Sequence, residues 1–130
     1  MKKPSITQKI KSFEDACKHL GIETKLPEVG GLYPYHQKGI IAFYKLSVIA
    51  TALNEGWKPD WSDRNQRKWF PWWYVSTDRS SAGLACAHTA YTAASPNAYY
   101  GSRLGFKTEA LARYAADQFK DLYEDMLLYN

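Results

Sequence analysis

All five tryptophans of this 130-residue chain fall between positions 57 and 73, at Trp57, Trp61, Trp69, Trp72 and Trp73. Lys58, Arg64, Arg67 and Lys68 are set among them. Indole faces stack on unpaired bases and basic side chains hold phosphates, so the mixture suits single-stranded nucleic acid. The same rings suit a sugar or the anchor of a protein interface. The simpler alternative is that the rings lid the core while the basic residues are solvated around them. Trp61, Arg64, Arg67, Lys68 and Trp69 are the binding candidates of this stretch. Further along, Tyr99 and Tyr100 precede Arg103, which Gly101 and Gly105 bracket. An arginine beside two tyrosines suits a ligand carboxylate or phosphate; an exposed strand arginine with no role is the plainer reading.

Nucleophilic chemistry has one weak candidate. Cys86 and His88 lie two apart on a predicted strand and would share a face, as a thiol and its base must. No third orienting group can be named, so a structural pair is the better reading. His36 has no metal ligand at helical spacing, and Cys17 and His19, two apart on a helix, face different ways. No metal site and no cofactor are expected. No GxGxxG, Walker, HExxH or GxSxG pattern occurs.

The elements that position these residues read as follows. Ser12, with Asp15 three residues on, starts a short helix whose Phe13, Ala16, Cys17 and Leu20 form one stripe, and Gly21 stops it. After Pro27 and Gly30-Gly31, residues 34–55 read as a long central helix. Ile40, Phe43, Leu46, Ala50 and Leu53 make one apolar seam, and Ile41, Tyr44, Val48 and Ala52 a second beside it. Apolar residues on so much of the circumference predict burial on more than one side, with Phe43, Leu46 and Ile49 nearly fully buried. Residues 57–70 are irregular. Strands are predicted after Pro71 (Trp72 to Val75), near Leu84 to Tyr91, and from Ser102 to Lys107, with turns at Asp78–Gly83 and Pro96-Asn97. Thr108 caps a final helix. The predicted fold class is α+β in the order ααβββα: a three-stranded antiparallel meander packed on a long central helix and a C-terminal helix.

The length suits one domain spanning 1–130, with 1–11 a flexible basic N-terminal segment. At 45% hydrophobic and 23% charged residues, a packed core is expected and disorder is not. The net charge of +4 permits an anionic partner without demanding one. Positive charge gathers at the N-terminal end, and the last helix is acidic. Two unpaired cysteines, Cys17 and Cys86, read as reduced core residues. With no export signal and no membrane-length apolar run, the expected location is the cytoplasm, away from the membrane.

Three passages carry a family likeness: Phe13-Glu14-Asp15-Ala16-Cys17, the run Ala52-Leu53-Asn54-Glu55-Gly56-Trp57-Lys58-Pro59-Asp60-Trp61, and Gly101-Ser102-Arg103-Leu104. The last continues through Phe106-Lys107-Thr108 and from Ala115 to Phe119. In these the chain resembles a family of small proteins encoded by gut-bacterial genomes, their phages and related mobile elements. The resemblance implies an accessory protein of phage or mobile-element type, and brings no activity, ligand or site residue with it. The expected function is a non-enzymatic binding module that contacts a protein partner or a single-stranded nucleic acid. The alternative is a small hydrolase or transferase using Cys86 and His88. Neither the ligand nor the oligomeric state is legible in these residues.

Overall fold

Ser12 starts its helix as expected: its hydroxyl accepts from the Asp15 N–H at 3.1 Å, and Asp15 in turn accepts from the Lys11 N–H at 3.0 Å. Gly21 ends it at φ 70°. The N–H groups of Ile22 and Gly21 return to the carbonyls of Cys17 and Lys18, a Schellman closure that only a left-handed residue permits. A computed structural model of the chain describes residues 3–75, 84–92 and 101–128. Within them run helices α1 (Ile6–Lys9), α2 (Phe13–Leu20) and α3 (Pro34–Leu53), then strands β1 (Lys68–Val75) and β2 (Leu84–Thr92). A 3-10 turn (Ser102–Leu104) and helices α4 (Glu109–Gln118) and α5 (Lys120–Leu127) follow. The turns expected at Asp78–Gly83 and Pro96-Asn97 lie outside the described residues.

The predicted α+β fold with a three-stranded meander is not what the chain forms. Helices dominate the described residues, and the strands make a two-stranded antiparallel ladder of β1 and β2. The expected third strand, Ser102 to Lys107, is a 3-10 turn followed by one bridge, in which Phe106 and Trp69 exchange backbone bonds of 3.0 and 2.9 Å. A proline limits the ladder there. The next bonded pair of an antiparallel ladder would need an N–H at Pro71, which proline lacks. On either side of Phe106, the Gly105 carbonyl accepts from Asn54 Nδ2 at 2.9 Å and the Lys107 N–H donates to Asn54 Oδ1 at 3.0 Å. These two groups point away from β1, and a buried side chain at the end of α3 satisfies them on that outer edge.

β1 also begins earlier than expected, at Lys68, and the final helix is broken at Phe119 into α4 and α5. Thr108 caps α4 as predicted, accepting from the Leu111 N–H at 3.2 Å. The N-terminal segment, expected as a flexible basic arm, carries α1 and buries Ile10. The Tyr114 hydroxyl donates to the Ile10 carbonyl at 2.6 Å and Gln118 Nε2 to the Lys11 carbonyl at 3.0 Å, which joins this segment to α4.

The core lies where α2, the second half of α3, the Phe106 segment and α4 converge. Phe13, Cys17, Leu46, Ile49, Leu53 and Phe106 are buried there, with Ala112 and Ala115 letting α4 approach closely. Leu46 and Ile49 are buried as predicted. Phe43 is not: it is 38% exposed, because the first half of α3 is covered on one side only.

Candidate functional site

The irregular stretch before β1 folds around a lysine. Asp60 Oδ1 accepts from the N–H and hydroxyl of Ser62 at 3.0 and 2.6 Å, and Asp63 Oδ1 accepts from the Asn65 N–H at 2.9 Å. These are turns of the kind aspartate makes with its own downstream backbone. The Ser62 hydrogen bonds, side chain first, hold the Asp60 carboxyl below its usual range. Lys68 is fully buried inside the loop, where its ammonium donates to the carbonyls of Gln66 at 3.0 Å and Asp63 at 3.3 Å. The same ammonium stands over the ring of Trp61. Trp61 turns its indole N–H to Ser102 Oγ and so ties the loop to the 3-10 turn.

The predicted binding residues are thus divided. Lys68 is inside the loop, and Trp61, 36% exposed, has a cation over its ring and its N–H engaged. Trp69 is half-buried and packs against the core from β1. Arg64 and Arg67 are exposed on the loop, and Arg103 is exposed on the 3-10 turn. Tyr99 and Tyr100 lie outside the described residues. Of the remaining tryptophans, Trp57 and Trp73 are half-buried and Trp72 is exposed.

The register also bears on Cys86 and His88. Cys86 is the Cα partner of Trp73 and His88 of Trp72, with an irregularity between the two pairs. Their Cα partners are consecutive residues, so the backbone register shifts between the two positions. The other cysteine, Cys17, is a free thiol in the core; burial first, then the nearby Glu14 charge, push its pKa above 9.0. No group of three His, Cys, Asp or Glu side chains suited to a metal ion occurs among the described residues.

The concave surface lies elsewhere, around Phe43. A groove of about 700 Å³ runs between the first half of α3 and the end of α5, lined by Tyr35, His36, Gly39, Ile40, Phe43 and residues 125–128. Gly39 makes the crossing close: a Cβ there would lie 3.4 Å from the Asp125 carbonyl oxygen. Lys38 and Asp125 pair across the same crossing at 3.5 Å. A second depression of about 670 Å³ is lined by Phe43, Lys58, Pro59, Gly101, Ser102 and Arg103. Phe43 lines both. The first gathers Ile40, Met126 and Leu127 beside Phe43, and the second carries two cations.

Of this surface, sequence reasoning had named only Arg103 as a site residue. A signal for the rest was present, since a glycine inside a helical pattern marks a close approach of another element. Comparison with known proteins adds no relative to this geometry: no protein-family model matches the chain, and no curated protein or solved structure matches it significantly.

Proposed function

We propose that this protein is a non-enzymatic binding module that docks a protein partner along the groove between α3 and α5, with Phe43 at its centre. The supporting observation is the exposure of large apolar side chains around one concavity. Tyr35 is 72% exposed, Ile40 40%, Phe43 38% and Leu127 42%. Apolar side chains gathered in this way mark interaction surfaces, because water contact there is relieved only by a partner. The phage or mobile-element setting implied by the sequence resemblance belongs to the same proposal.

The nucleic-acid alternative draws less support. It needs open indole faces with free cations beside them, and the Lys68 ammonium is instead spent on the loop's own carbonyls and on Trp61. No helix among the described residues is long and apolar enough to cross a membrane. The test is selection from a random displayed-peptide library against the wild-type protein, with Phe43→Ser as counter-target. Peptides retained by the wild type and lost on Phe43→Ser are expected. Failure to recover any Phe43-dependent peptide would count against the groove.

A further inference from the structure

We infer that the occupant of this groove is an acidic peptide segment, whose apolar side chains cover Phe43 and Ile40 while its carboxylates reach Lys58 and Arg103. The inference rests on the docking reading above and adds the partner's chemistry to it.

Charge complementarity carries it. The depression that shares Phe43 with the groove has two charged side chains in its lining, and both are cations. Lys58 and Arg103 are exposed, and among the described residues no carboxylate forms an ion pair with either. The acid that lines the apolar groove, Asp125, is already paired with Lys38, so it does not oppose an incoming carboxylate with an uncompensated charge. Arginine and lysine side by side recognise carboxylates through charge-assisted hydrogen bonds, and complementary potentials choose among partners more than they add affinity. The chain's net charge of +4 acts in the same direction at long range.

A peptide fits better than an oligonucleotide because of what flanks the cations. Ile40, Met126 and Leu127 line the groove beside Phe43. Those side chains are covered by apolar side chains of a partner, whereas a sugar–phosphate backbone would leave them wet and offer its charges to an apolar wall.

The experiment runs the library selection in parallel on the wild type, on Phe43→Ser and on the double variant Lys58→Glu/Arg103→Glu. All three substituted positions are exposed, and circular dichroism checks that the variants fold. A labelled oligothymidylate is titrated by fluorescence anisotropy alongside. Wild-type selection is expected to enrich Asp and Glu next to apolar residues. The enriched peptides should bind the charge-reversed variant about tenfold more weakly, and selection on that variant should favour Lys and Arg. Peptides that need Phe43 but carry no acidic excess and ignore the charge reversal would overturn the acidic partner while leaving the groove. Absence of any Phe43-dependent peptide would remove the groove and this inference together. Oligothymidylate binding that is weakened by the charge reversal would assign the cations to nucleic acid instead.

Discussion

The Lys68 ammonium stands 5.1 Å from the centre of the Trp61 ring. These two residues belong to a stretch whose composition suggests an open basic and aromatic surface, yet they satisfy one another and the loop that contains them. The lysine stem is buried, and its charge is held by two backbone carbonyls and the electron-rich face of an indole.

Lys68→Met keeps the apolar stem and removes the charge. The carbonyls of Asp63 and Gln66 then lose their donor, and a loss of about 1.5–3 kcal/mol is expected. Urea unfolding measures it, and tryptophan emission should shift as Trp61 loses its cation. A stability change within about 0.5 kcal/mol would show that the ammonium does not organise the loop.

Asn54→Ala should be costly for a different reason. It strips the partners from the Gly105 carbonyl and the Lys107 N–H, both fixed by the same buried amide. A loss of about 2–4 kcal/mol is expected for the two orphaned groups. Hydrogen exchange should show Lys107 losing protection first, with Phe106 following as its bridge to Trp69 loosens. Unchanged protection at Lys107 would contradict the assigned role.

Along α3 the two halves should respond oppositely to truncation. Ile49→Ala removes a fully buried side chain, and about 2–5 kcal/mol should be lost. Phe43→Ala acts on a partly exposed ring and should cost less than about 1.5 kcal/mol. Equal losses in paired urea melts would mean that the first half of α3 is covered as fully as the second.

Tyr114 makes stability sensitive to alkali. Burial, then the nearby Asp15 charge, raise its phenol above the ordinary 10.0. The folded state therefore prefers the neutral phenol, so its contribution is complete below pH 10 and is lost as pH rises through the raised value. The Cys17 thiol, also raised, acts in the same direction. Tyr114→Phe should cost about 1 kcal/mol near neutrality through loss of the bond to the Ile10 carbonyl. Its deficit relative to wild type should shrink above pH 10. A deficit that is constant with pH would show that the phenol does not titrate differently in the two states.

Local chemistry by itself determined much of this protein. Ser12 and Gly21 bound α2, Pro34 opens α3 and Thr108 caps α4, because caps and stops depend on neighbours within a few residues. The end of the ladder at Phe106 was also legible in principle, since Pro71 has no N–H for a further strand wherever it sits. Tertiary structure decided which chemically suitable residues became available. By type Lys68 suits a phosphate, but its loop closes over it; by periodicity Phe43 suits the core, but α5 covers only one side of the first half of α3. Composition and periodicity record what a side chain can do and which face it shares. Its solvent exposure depends on elements far along the chain: Ser102 holds Trp61, Asn54 holds Gly105 and Lys107, and Asp125 meets α3 at Gly39. Those pairings are chosen by packing over long sequence separations, which no local pattern encodes.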